Sequence, residues 1–150
     1  MTYEERYTFS SLMTVLIESE RKLGELYEIA SSEADDAKVK FLLSDSEKNS
    51  STRIEKMQRA RVESVVEMAL EPLSGLELGE LLTRIRATLQ SDRMSNLEKV
   101  TNLERALSEL YARASPKVAQ ISADTSELLM ALSRESMERL CELEHYVTLA

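Results

Sequence analysis

Apolar residues along the chain recur at alternating spacings of three and four, and one such stripe occurs twice with the same polar interruption. Met13, Leu16, Glu20, Leu23, Tyr27 and Ala30 form the first copy. Leu97, Val100, Glu104, Leu107, Tyr111 and Ala114 form the second, 84 positions later. This spacing puts every member on one face of a helix, so each stripe carries a carboxylate among apolar neighbours. Identity is densest in twelve residues, ERKLGELYEIAS (20–31) and ERALSELYARAS (104–115), which share Glu, Arg, Leu, Glu, Leu, Tyr, Ala and Ser at matched places.

The pattern predicts a first helix from Thr8 or Ser10 to about Ser31, with Phe9 added to its inward face. Gly24 within it costs about 1 kcal/mol relative to Ala. Its counterpart Ser108 is also small, so a neighbouring helix is expected to approach closely there. The polar cluster SSEADD (31–36) predicts a turn, with Asp35 or Asp36 capping the next helix. That second helix is expected from about Ala37 to Ala69, on a seam of Leu43, Glu47, Ser50, Ile54, Met57, Val65 and Met68. It stops at LEPLSGLELG (70–79), where Pro72, Gly75 and Gly79 gather. A shorter helix over about Leu76 to Gln90 comes next. A third long helix, capped by Ser95 or Asn96, runs to Ser115, and a fourth opens on Pro116 and reaches roughly Val147. The last stripe comprises Val118, Ile121, Leu129, Leu132, Leu140, Leu143 and Val147.

These elements predict an all-α fold and one domain over residues 1–150: a four-helix bundle of two antiparallel helical hairpins, residues about 8–69 and 92–148. Short loops make neighbours antiparallel, and a long, partly helical crossover over about 70–91 joins the halves. Composition sharpens this in few places. Three Gly and two Pro in 150 residues favour helix nearly throughout, and no sheet is expected. A formal net charge of -8 disfavours phosphate backbones and anionic membrane surfaces, so neither nucleic acid nor membrane is an expected partner. No apolar run approaches the roughly 18 residues of a membrane span. Cys141 is the only cysteine, and the start MTYEERYTFS lacks the basic-then-apolar order of a signal peptide; a cytoplasmic protein is expected.

The Glu of each stripe is followed seven residues later by Tyr and then by Ala, E-x6-Y-x2-A, and FLLSDSEKNSSTRIEKM (41–57) comes after the first copy. In these features the chain resembles the rubrerythrin branch of the ferritin-like superfamily. The resemblance implies a ferritin-like bundle in which inward Glu and Glu-x-x-His pairs hold two iron or manganese ions. It implies that Glu20 and Glu104 match the single-Glu ligands and Glu47 the Glu of the first Glu-x-x-His. Glu135 is the candidate for the fourth carboxylate and Glu127 the alternative, while the best match of stripes places Ser133 and Ser136 at the two ligand positions. Ser50 stands where the first histidine belongs, and His145, the only histidine, lies too near the C-terminus to be the second.

The implied protein is therefore a divergent relative that has lost its histidine ligands. It is a carboxylate-lined bundle without a normal di-iron centre, acting as a scaffold or interaction module, with homodimerisation through an exposed helix face. Two alternatives remain open: a divergent iron- or manganese-binding protein in oxidative-stress or iron handling, and a small-molecule binder using the bundle core. The bland readings stand beside these. Glu20 and Glu104 can lie on the rim of the seam, paired with Arg21 or Arg105 of a neighbouring helix. Tyr27 and Tyr111 read as core residues whose hydroxyls bond across the bundle, those carboxylates included. Cys141 and His145 read as ordinary helix residues and the seven Met as core filler. No phosphate loop, nucleophile elbow or Cys-x-x-Cys pair points to an enzyme of another kind; catalysis, if present, is that of a divergent di-metal oxidoreductase.

Overall fold

The computed structural model of the chain describes residues 7–63 and 72–149, the last three by their backbone alone. Five helices lie among the described residues: α1 Phe9–Glu33, α2 Ala37–Glu63, α3 Gly79–Gln90, α4 Asn96–Val118 and α5 Ala123–Leu149. Short polar side chains start most of them by satisfying the free N–H groups of the first turn. Thr8 and Ser11 form a reciprocal capping box on α1. Asp36 accepts from Lys38 N at 2.8 Å and Val39 N at 3.1 Å on α2. Ser95 accepts from Glu98 N at 3.1 Å on α4, and Ser122 from Thr125 N at 3.1 Å on α5.

Packing is closest within two pairs, α1 with α2 and α4 with α5. Contacts that pair rising with falling numbers make each pair antiparallel: Glu20 with Ser50 and Ser31 with Ser44 in the first, Ser108 with Ser133 and Ser115 with Ser126 in the second. The pairs meet along α1 and α4 and, more sparsely, along α2 and α5, while α3 lies on α4. The inward stripes of all five helices merge into one apolar cluster. Extended pairing among the described residues is limited to an isolated bridge, in which Leu73 N donates to Tyr7 O at 2.7 Å. No helix among them is long and apolar enough to cross a membrane.

Several boundaries differ from the sequence expectation. Pro116 does not open the last helix; it sits inside the final turn of α4, and α5 starts at Ala123. Burying Val118 outweighs the one N–H that proline lacks, and the Ser122 cap supplies the actual start. Val118 therefore belongs to α4 and Ile121 to the intervening turn, leaving Leu129, Leu132, Leu140 and Leu143 as the buried stripe of α5. The helix α3 begins at Gly79 rather than Leu76. The expected end of the second helix, with Val65 and Met68, lies outside the described residues.

The two interrupting glycines have separate reasons. A Cβ on Gly24 would stand 3.4 Å from the Cβ of Ser50, so α1 and α2 come as close here as side chains allow. Gly75 has φ +74, the left-handed region that costs an L residue about 1–2 kcal/mol. Gly75→Ala is therefore expected to lower the melting temperature by about 2–8 °C. Calorimetry checks this, and an unchanged melting temperature would mean the turn relaxes without strain.

Candidate functional site

The two stripe carboxylates meet at the centre of the bundle. Glu20 on α1 and Glu104 on α4 are both fully buried. Each accepts a hydrogen bond from the tyrosine of the other stripe: Tyr111 Oη to Glu20 Oε1 at 2.6 Å and Tyr27 Oη to Glu104 Oε2 at 2.5 Å. Because α1 and α4 are antiparallel and each tyrosine stands two helical turns after its glutamate, one crossing makes both bonds at once. Ser50 on α2 donates to the second oxygen of Glu20 at 2.7 Å. Gly24, one turn beyond Glu20, is what lets α2 close in far enough for that hydroxyl to reach.

Between the carboxylates lies a cation that the sequence reading missed. Arg53 of α2 is buried, and its Nη1 donates to Glu104 Oε1 at 3.1 Å and to Glu20 Oε1 at 3.3 Å. The same nitrogen stands 3.4 Å from Ser136 Oγ on α5. Nε makes no hydrogen bond, the nearest carboxylate being Glu135 Oε2 at 3.6 Å. A single guanidinium thus links α2 to α1, α4 and α5 at one level. It serves both carboxylates through one nitrogen instead of forking onto either, and the tyrosines and Ser50 supply the remaining donors.

Charge balance sets the titration of the group. With both carboxylates ionised, one guanidinium leaves a net charge of −1 in a dry interior; one proton makes it neutral. Burial raises the Glu20 pKa above the ordinary 4.5, and the Glu104 charge adds to this. Arg53 and the Tyr111 and Ser50 hydrogen bonds pull the other way without cancelling it. Burial and the adjoining carboxylates hold both phenols protonated to well above their usual pKa of 10.0. Burial alone would depress the Arg53 pKa, but the charges of Glu20 and Glu104 win and hold it above its ordinary value.

The four expected metal ligands fare differently. Glu20 and Glu104 come together; Glu47 is half-buried one turn before Ser50, outside this hydrogen-bonded set; Glu135 is 51% exposed and touches the cluster only through Arg53. Glu127 is exposed near the start of α5, and Ser133 bonds to Ser108 rather than to the cluster. The residues do not suit a pair of metal ions, because the space between the carboxylates holds a guanidinium that would repel another cation. Among the described residues, no three His, Cys, Asp or Glu groups come together as a metal site. Surface cavities of about 750, 380, 240 and 320 Å3 are lined by other residues.

A signal for Arg53 was present. The buried side of α2 runs Leu43, Ser46, Ser50, Arg53, Met57, an unbroken 3-4 alternation. The neighbouring choice of Glu47 and Ile54 has equally regular spacing and a more apolar look, which is why Arg53 reads as surface. Comparison with known protein families, curated proteins and solved structures gives no match to the chain.

Proposed function

We propose that this chain is a metal-independent relative of the ferritin-like bundles, in which Arg53 has taken over the place and the charge of the bound metal, and that it works as a scaffold or interaction module. The observation that carries the reading is the Arg53 guanidinium between Glu20 and Glu104, reached through one nitrogen at 3.3 and 3.1 Å. A metal in such a bundle neutralises inward carboxylates and ties the helices together. Arg53 does both with a side chain that is always present and always charged. Ser50 in place of an imidazole fits the same exchange, since its hydroxyl donates to the carboxylate where a histidine would have ligated metal. Both active-site requirements of a redox bundle, an open coordination position and a path for a substrate, are unsupported by a centre closed around a guanidinium. In some bundles a buried polar or ionic group fixes which helices meet and in which register, and that role for Arg53 suits a protein whose task is to present surfaces.

Metal analysis tests the proposal. Protein purified without chelator is expected to carry no stoichiometric iron or manganese, and adding Fe(II) or Mn(II) is expected to leave its melting temperature unmoved, since only a ligand that binds the native state raises it. One or more equivalents of metal per chain, or a melting temperature raised by metal and lowered again by chelator, would return the protein to the metal-binding relatives.

A further inference from the structure

The largest of these four cavities is a groove of about 750 Å3 between the first turns of α2 and the last of α5. Lys38, Phe41, Leu42 and Asp45 form its α2 wall, and Arg139 and Tyr146 belong to its α5 wall. Phe41 is 74% exposed, the most exposed of the large apolar side chains among the described residues, directly beside the buried Leu42. An aromatic ring held this far into water on a rigid helix is an anchor without its pocket. The groove also differs in charge from the rest of the molecule. Lys38 and Arg139 balance Asp45 and Glu142, while the whole chain carries -8. This is therefore a place where two copies of an acidic protein can approach without strong mutual repulsion.

The geometry points to a second copy of this chain as the occupant of the groove, docked as an antiparallel, twofold-symmetric α2–α2 pair centred on Phe41. Lys38 and Asp45 are seven residues, two helical turns, apart on one face of α2, with Phe41 and Leu42 midway. A twofold axis crossing between Phe41 and Leu42 places Lys38 opposite Asp45 of the partner subunit, and the partner subunit's Lys38 opposite Asp45. A twofold interface needs this reciprocity. Arg139 Nη2 already engages Asp45 Oδ2 at 3.3 Å, which ties the carboxylate to the groove, and a carboxylate has a second oxygen with which to accept from a partner lysine. The two Phe41 rings then fill the paired grooves beside Tyr146. The inference deepens the interaction-module reading by naming the surface and the partner. Its test reads molecular mass and not metal content, so the two can fail separately.

Sedimentation equilibrium on the full chain is expected to show a reversible dimer, with Phe41→Glu raising the dissociation constant at least about tenfold. Lys38→Glu and Asp45→Lys each set like charges against each other and should weaken self-association. Mixed together they restore both pairs, so the mixture should form a heterodimer tighter than either variant alone. Circular dichroism on each variant separates lost docking from lost folding, since all three positions are exposed enough to leave the helices intact. A parent that stays monomeric at every concentration overturns the proposal. So does a dimer indifferent to Phe41→Glu, or a mixture that fails to associate. A monomer whose groove takes up a fluorescent apolar probe, with loss of that uptake in Phe41→Glu, would assign the groove to a small ligand and overturn it as well.

Discussion

Arg53→Met is expected to destabilise the bundle by about 3–5 kcal/mol at pH 8, the usual cost of removing one partner from a buried ion pair. Methionine matches only the aliphatic stem of arginine, so the packing of the stem is kept while the charge and the donor at Glu20 and Glu104 are lost. Against a total stability of about 5–15 kcal/mol this is a large fraction, and for a chain of this size it lowers the melting temperature by about 6–20 °C. The loss depends on pH, and Glu20 sets its sign. The folded pKa of Glu20 already lies above 4.5, so the native state holds a proton that the unfolded chain has released. The stability this contributes is complete below the unfolded value and is lost as pH rises through the folded one. Removing the guanidinium takes away the strongest influence holding the Glu20 pKa down, which widens that window. The variant should therefore approach the parent near pH 4–5 and fall away from it towards pH 8. Adding Glu20→Gln to Arg53→Met removes a buried charge and should recover part of the loss. Thermal melts of the three proteins across that range check this. A deficit equal at pH 5 and pH 8 would mean that Arg53 matters only as filler.

The alkaline limb gives the other large effect. Tyr27 and Tyr111 keep their protons in the native state to well above 10.0, whereas the unfolded chain releases them near that value. The contribution of the two tyrosines is thus unchanged below about pH 10 and falls above it. Each retained proton contributes about 1.4 kcal/mol per pH unit, roughly 2.7 for the pair. Two pH units then remove about 5 kcal/mol, comparable with the whole stability. The protein should unfold cooperatively on the alkaline side, with tyrosinate absorbance from these two residues appearing together with loss of helix and not before it. Tyr111→Phe should roughly halve the slope. It should also cost about 1–3 kcal/mol at neutral pH, because Glu20 Oε1 loses a buried donor. Titration of both phenols near pH 10 in a still-helical protein would contradict this account.

How much of this could be read from the chain differs by element. The apolar stripes of the first and third long helices, with a glutamate inside each, are legible because a 3-4 alternation has one spatial meaning wherever a helix forms. Met13, Leu16, Leu23, Val100 and Leu107 are buried as their spacing requires, and Glu20 and Glu104 with them. Local chemistry was legible too: Thr8, Asp36 and Ser95 cap helices because a short polar side chain can reach the N–H groups two or three residues on. Pro116 misled for a related reason. Its preference for a first turn is a local one, and burial of Val118 two residues later, a property of the packed bundle, overrode it.

That inward carboxylates exist, and on which stripes they lie, is written in the chain. What neutralises them emerges only when the helices pack. Arginine is polar by composition, and on α2 it competes for the inner position with Ile54, an apolar neighbour on an equally regular spacing. Its burial becomes favourable only when Glu20 arrives from α1 and Glu104 from α4, residues 33 and 51 positions away in the chain. A buried charge is tolerable only beside its counter-charge, and no pattern within a single helix records which charges the other helices will bring.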